Sequence, residues 1–390
     1  MSFSRLLGYI LLAVASVVYC IPIVSNLLWR LLTRYEPRDH YVLAALGLLL
    51  IQHHEREIWL CSPRKFKAKC QAAHEEDDSS YENMVIRTNN VVLYARTRNI
   101  GDGRPLLLFL HGFPETSYSW RHQIEYFGDI YEVAALDMRG YGKSQAPSRV
   151  SDFAIDKLCL DVCSVIRACG HESCFLIGHD WGGMVAWNVA ANFSEMIKGL
   201  VTICSPHPLA YEEKQCFTLD QAKKSLYFLL FKQPWLPEVW LGHMEGKEID
   251  SILRGKKMGV LRRNAITLED SERIRASLAR QGRLTAALNY YRSAMGHQSD
   301  IASKFVRKTC ESVIQVPTLQ MYADCDGAFC PSMFENSPYR ACSHSSTQTL
   351  IKLENCSHWA QQDRPDMVNK YIHTFIKETL VNSSSKKRML

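Results

Sequence analysis

The chain reads as an α/β protein: a mostly parallel sheet with helices on both faces, interrupted by a helical insert. Three observations predict this. Short apolar runs of strand length alternate with amphipathic stretches of helical length. The runs hand over to turn-forming clusters, among them His111-Gly112-Phe113-Pro114, Asp137-Met138-Arg139-Gly140-Tyr141-Gly142 and Gly178-His179-Asp180-Trp181-Gly182-Gly183. After Ser205-Pro206-His207-Pro208 the alternation gives way to helix-leaning sequence rich in aromatic and basic residues, then resumes at Thr318.

The first element expected is a membrane span. Leu6 to Leu28 carries no charged residue and is long enough, at about 1.5 Å per helical residue, to cross a hydrocarbon core of about 30 Å. Ala13-Val14-Ala15 resembles a signal-peptidase site, but the apolar stretch continues well past it, which favours an uncleaved anchor over 1–35. Arg30, Arg34 and Arg38 follow the span and only Arg5 precedes it, so the positive-inside rule puts the body on the cytosolic face, with the endoplasmic reticulum as the expected membrane. Residues 36–80 form a juxtamembrane segment. Within it Tyr41 to Ile51 is too short to span and suits an interfacial helix, and His74 to Ser80 is a polar linker.

The body begins near Tyr81. Val85 to Arg96, Pro105 to Leu110, Tyr131 to Leu136, Cys174 to Ile177 and Ile197 to Ile203 read as strands, with an amphipathic helix over Phe153 to Cys169 and another over Met184 to Ala191. This first part of the core spans 81–208, and a helical lid occupies 209–303. The second part, 304–380, brings strands at Thr318 to Ala323 and Leu350 to Leu353 and a closing helix over Met367 to Leu380. A polar tail is expected over 381–390.

Composition excludes several classes. With 390 residues, 47% of them hydrophobic, the chain supports one large core plus an appendage. The net charge of +6 sits largely outside the motif-bearing region, in Arg64 to Lys69 and Lys386 to Arg388, so nucleic-acid binding is not expected. Fourteen cysteines without a CxxC pair or a close Cys/His cluster predict neither a zinc site nor a regular disulfide framework. Asn192, Asn355 and Asn382 are N-x-S sequons, the first two inside motif-bearing segments where a glycan would obstruct folding.

The chemistry centres on Phe175 to Met184, which has the shape of a nucleophile elbow with aspartate where serine is usual. Gly178, Gly182 and Gly183 supply the small residues that a sharp strand-to-helix turn requires. An ionised Asp180 is a nucleophile without needing a base, and suits attack on saturated carbon. The simpler alternative is that Asp180 caps the following helix. Asp180, Asp326 and His358 fall at the carboxyl ends of expected strands, where open sheets bind ligands, in the order nucleophile, acid, histidine. Asp324 is a rival for Asp326.

With Pro234-Trp235, Asn289-Tyr290-Tyr291-Arg292 and Cys356-Ser357-His358-Trp359 added to the motifs above, the chain from about Tyr81 to Leu380 resembles the α/β-hydrolase-fold epoxide hydrolases, closest to the membrane-anchored animal subgroup. The resemblance implies Asp180 as nucleophile, His358 as the base that activates water and Asp326 as the group orienting the imidazole. It implies Tyr227 and Tyr291 as proton donors from the lid, with Tyr290 competing for the second place, and the amides of Phe113 and Trp181 as the oxyanion hole. His111 is expected to support the oxyanion loop, and His179 to be structural or to line the pocket.

The activity so implied converts lipophilic epoxides to vicinal diols with water as co-substrate and no cofactor or metal. The anchor would set the pocket beside a lipid bilayer, which suggests epoxidised fatty acids. A hydrolytic dehalogenase shares the aspartate but has no use for two phenols aimed at an oxyanion, and a catalytically idle membrane scaffold would use none of these groups.

Overall fold

The computed structural model describes residues 81–388 apart from 89, 243–245, 297–298 and 338–347, and leaves aside the side chains of 384–388. The anchor and juxtamembrane segment expected over 1–80 lie outside the described residues. Among those residues no helix is long and apolar enough to cross a membrane.

The sheet has eight strands among the described residues: β1 (Glu82–Arg87), β2 (Val92–Arg98), β3 (Leu106–Leu110), β4 (Glu132–Asp137), β5 (Cys174–His179), β6 (Ile197–Ile203), β7 (Thr318–Ala323) and β8 (Gln348–Leu353). Their spatial order is β1-β2-β4-β3-β5-β6-β7-β8. β2 runs antiparallel to both β1 and β4, and every other pairing is parallel. The single strand expected over Val85 to Arg96 is therefore a hairpin. Its turn is made by Thr88, whose hydroxyl donates to the Val91 carbonyl at 2.9 Å and accepts from the Asn90 and Val91 amides. A threonine side chain competing for local backbone groups outweighs the β propensity of the run.

The two-residue period of the strands sorts their side chains into two cores. Leu106, Leu108, Leu110, Ala134, Leu136 and Leu176 face one side. Leu107, Phe109, Val133, Ala135, Phe175 and Ile177 face the other. Helices α1 (Arg121–Gly128), α2 (Ile155–Ala168) and α3 (Trp181–Asn192) follow β3, β4 and β5. Ile124 and Phe127 of α1 cover the second face, whereas Leu158 and Val162 of α2 with Val185 and Val189 of α3 cover the first. Runs buried on both faces explain why these strands read as continuously apolar.

The insert folds as six helices among the described residues: α4 (Leu219–Lys224), α5 (Leu226–Lys232), α6 (Leu236–Gly242), α7 (Lys247–Arg254), α8 (Leu268–Ala279) and α9 (Arg283–Met295). Thr218 and Thr267 cap α4 and α8 by accepting a backbone N–H, and Thr267 with Asp270 completes a capping box. Leu253, Ile274, Leu278 and Leu288 join the first core, so the lid is packed onto the sheet layer. The chain then returns through α10 (Asp300–Glu311), α11 (Ser332–Glu335) and α12 (Ala360–Asp363) to α13 (Pro365–Arg388), whose Val368, Ile372 and Phe375 complete the second core. The polar tail expected after 380 continues this helix. No Gly or Pro interrupts it.

Candidate active site

Asp180 occupies the tip of the β5–α3 turn at φ 49° and ψ −118°, a conformation costly for a residue with a Cβ. The surroundings hold it there. Its amide donates to the Ile203 carbonyl at 3.2 Å, and its carbonyl accepts from the Met184 amide at 3.0 Å and the Ser205 hydroxyl at 2.8 Å. A Cβ on Gly182 would lie 2.2 Å from the Leu110 carbonyl oxygen, and one on Gly178 would lie 2.4 Å from that of Gly182, so the elbow closes only with glycine at both. Helix α3 starts at Trp181, earlier than the Met184 expected, and the Asp180 side chain bonds no amide of the helix beyond this first one. The capping alternative fails on that point.

One carboxylate oxygen of Asp180 accepts the Phe113 amide at 2.9 Å, and the Trp181 amide also bonds the group. The other oxygen lies 3.8 Å from His358 Nε2, beyond hydrogen-bond range. On its other side the imidazole meets Asp326, with Nδ1 2.9 Å from Oδ2. Asp326 Oδ1 accepts the amides of Ala328 (2.7 Å) and Phe329 (2.9 Å). The rival Asp324 is spent elsewhere: it accepts the amides of Asn355 and Cys356, both at 3.1 Å, and so shapes the loop that carries His358.

The three groups titrate away from their ordinary ranges. Burial raises Asp180, and the attraction of His358 and His179 only partly opposes it. Burial would raise Asp326 too, but His358 and the two amides outweigh it and hold the carboxyl below its usual value. Burial pulls His358 down, and the charge and hydrogen bond of Asp326, with Asp180 and Glu115, reverse this and lift it to about 9.

The lid supplies an aromatic wall. Tyr227 on α5 and Tyr291 on α9 have ring centroids 6.1 Å apart, and Tyr291 meets Phe113 at 5.4 Å and Trp181 at 5.0 Å. Burial pushes both phenols well above their ordinary value, helped by the Asp180 charge at Tyr227 and by Tyr227 and then Asp180 at Tyr291. Tyr290 turns the other way and donates to the Arg139 carbonyl at 2.8 Å, which removes it as the alternative to Tyr291.

His111 accepts the Met138 amide at Nε2 (3.0 Å), so its proton sits on Nδ1, 2.9 Å from the Gly112 carbonyl. Burial keeps it low in pKa and neutral, and it braces the oxyanion loop as expected. His179 is fully buried beneath the triad, with Nε2 2.9 Å from the His358 carbonyl oxygen and Nδ1 2.9 Å from Glu115. Glu115 escaped the sequence reading. It is fully buried, accepts from Gln361 and Gln362, and faces His179 across 64 residues of chain, a separation that no local motif reveals.

A second missed group ties the lid to the acid loop. On α4, Gln221 donates to the Ala328 carbonyl (2.9 Å) and accepts the Cys330 amide (2.7 Å), while Lys224 Nζ donates to the carbonyls of Asp326 and, at 3.2 Å, Phe329. Asp326 is thus positioned partly from the lid. Cys204, Asp326 and His358 each offer a metal-ligating atom within 4.8 Å of the others. Asp326 and His358 are bonded to each other there and the Cys204 thiol bonds to Asp326, so the trio is a triad with a neighbouring thiol, not a cradle aimed at an ion.

The profile of the alpha/beta hydrolase fold matches residues 105–365. Epoxide hydrolase 4 of Homo sapiens is 36% identical over 277 residues, covering 71% of this chain and 73% of its own. Epoxide hydrolase 3 of Xenopus tropicalis is 34% identical over 326 residues, covering 81% and 82%. Among solved structures, an epoxide hydrolase from Vigna radiata superposes with a TM-score of 0.65 at 26% identity, over 77% of this chain and 99% of its own. By its fold, by the arrangement of Asp180, Asp326 and His358, and by these likenesses, the chain belongs to the epoxide hydrolase family of the α/β-hydrolase fold.

Proposed function

We propose that this protein hydrolyses lipophilic epoxides to vicinal diols through an ester on Asp180. The observation that carries the reading is the split environment of that carboxylate. One oxygen is held by the Phe113 amide at 2.9 Å while the other faces His358 Nε2 at 3.8 Å, beyond hydrogen-bond range of the imidazole.

In the first step the Asp180 oxygen that faces His358 attacks an epoxide carbon and the ring C–O bond breaks. Tyr227 and Tyr291 hydrogen-bond the departing oxygen and one of them protonates it. Phenols kept neutral by burial are suited to this. Esterification removes the Asp180 charge, one of the influences that raise His358, so the imidazolium sheds its proton and the phenolate regains one.

Neutral His358 then takes a proton from water as that water attacks the ester carbonyl carbon. The amides of Phe113 and Trp181 stabilise the oxyanion, and Asp326 stabilises the imidazolium. Collapse breaks the bond between the carbonyl carbon and the alkoxy oxygen, His358 protonates that oxygen, and diol leaves. No cofactor takes part. The direct test is a single turnover in heavy-oxygen water with protein in excess. The diol should carry no label, whereas direct attack of water on the epoxide would label it and sink the ester route.

The preference for epoxidised fatty acids rests on the apolar stretch Leu6 to Leu28, which we read as a single anchor in the endoplasmic reticulum membrane with the body facing the cytosol. Protease protection in sealed vesicles tests the orientation: a body shielded from protease would reverse it. The phenol pair favours this reading over the dehalogenase.

A further inference from the structure

Helix α5 of the lid is apolar on every side. Leu226, Tyr227, Phe228, Leu229, Leu230 and Phe231 follow one another along it, and Lys232 alone carries charge. A helix of that composition is ordinarily buried all round. On α5 this holds for one side. Phe231 is buried, and the rings of Tyr227, Phe228 and Phe231 stand 6.1, 5.3 and 4.9 Å from that of Tyr291, so they belong to the wall of the active site. The opposite side is open to solvent: Leu226 is 61% exposed and Leu229 43%, and Leu219 at the start of α4 is 83% exposed.

Single surface leucines are common and carry no message. These are ordered. From 220 to 232 the exposed positions recur at every third residue, as Asp220, Lys223, Leu226, Leu229 and Lys232. Two leucines one helical turn apart therefore stand between two lysines. Lys223 meets Asp220 at 2.9 Å in a pair that is itself largely in solvent, which leaves the stripe with one excess positive charge, at Lys232. Apolar side chains rimmed by lysine match the boundary of a bilayer: the leucines reach the acyl region and the lysines extend to the headgroup phosphates. Two or three leucines would hold a free domain on a membrane only weakly. A tether changes that, because it keeps the domain at high local concentration, and the uncharged stretch Leu6 to Leu28 is read above as such a tether.

We propose that the outer side of α5, with Leu219 of α4, docks on the lipid surface, so that a membrane-dissolved epoxide meets the lid at the helix that carries Tyr227. Leu226 and Leu229 contact lipid, while Tyr227, Phe228 and Phe231 on the far side of the same short helix face the reacting groups. The inference rests on the reading of Leu6 to Leu28 as an anchor and of the substrate as a lipophilic epoxide.

The test uses the full chain reconstituted in vesicles of phosphatidylcholine and phosphatidylserine. A carbene-generating probe dissolved in the bilayer, followed by peptide mapping, should mark Leu226 and Leu229 as well as residues 6–28. Marking of 6–28 alone, as would follow if a second copy of this chain covered α5, overturns the proposal and leaves the anchor in place. Marking of neither segment removes the anchor and this inference together, and turnover of a short water-soluble epoxide by the same sample reports on the enzyme activity independently of both. Leu226→Ser combined with Leu229→Ser should raise KM for a long-chain epoxide presented in the vesicles by about fivefold or more at unchanged kcat. The same variant should leave kcat/KM for the short epoxide as it was, and Leu226→Phe combined with Leu229→Phe should restore the parent KM. An equal loss on both substrates, which altered packing of the Tyr227 helix would produce, or no change on either, contradicts the docking.

Discussion

The elbow and the acid loop present carboxylates to opposite nitrogens of one imidazole, and their surroundings drive them in opposite directions. At the acid loop, Asp326 accepts two amides and sits 2.9 Å from Nδ1, and its pKa is depressed. At the elbow, Asp180 stands 3.8 Å from Nε2, beyond hydrogen-bond range of the imidazole, and its pKa is raised. Both are buried, so desolvation does not separate them. The number and reach of the hydrogen bonds does: the first group is kept permanently charged, while the second is a carboxylate whose charge is less well accommodated and whose loss on esterification costs the site less.

Replacing the nucleophile should have the largest effect on that contrast. Asp180→Ala should abolish turnover, a loss on the order of 10⁴-fold or more, because the remaining groups act only through it. Diol formation by mass spectrometry checks this, and near-normal rates would remove Asp180 from its role.

Asp326→Asn should slow ester hydrolysis by roughly 10³-fold while leaving alkylation much less affected, since an amide can misorient the imidazole and cannot stabilise its cation. The sign of its pH effect is fixed. His358 must be neutral to act as base, so the hydrolysis rate rises with pH through its pKa. Burial lowers that pKa and Asp326 is the first of the groups that raise it to about 9 in the free protein. Without the Asp326 charge the rising limb should move to lower pH as the plateau falls, and single-turnover pH profiles would show it. An unmoved limb would mean that Asp326 does not govern the imidazole.

Tyr291→Phe should cost alkylation about 10² to 10³-fold and leave the hydrolysis of an already formed ester nearly unchanged, because the phenol acts on the epoxide oxygen. Rapid-quench measurement of the two steps separates them. The smallest effect is expected at the lid contact with the acid loop. Lys224→Met should lower the hydrolysis step by only a few-fold, with recovery in Lys224→Arg, since Gln221 continues to hold the same loop through Ala328 and Cys330.

How much of this could be read from the chain depends on whether a group announces itself locally. The elbow did, because its glycines and Asp180 occupy adjacent positions that a strand-to-helix turn demands. Asp326 and His358 followed from strand ends in order. The hairpin at Thr88 was missed because a single hydroxyl, not an apolar pattern, stops the strand there. Glu115, Gln221 and Lys224 were missed for another reason: each acts on residues 64 to 247 positions away, and only the folded sheet brings them together. Tyr227 lies in an apolar run where core packing reads equally well, so its direction toward Asp180 was available only through resemblance.

The ester on Asp180 is the claim on which the rest depends, and His358→Gln tests it most directly. Without the base, alkylation proceeds and hydrolysis stalls, so intact-mass analysis after adding an epoxide turned over by the parent protein should show one added substrate mass, located on the peptide that contains Asp180. An unmodified variant under those conditions, or an adduct on any other residue, would contradict the account.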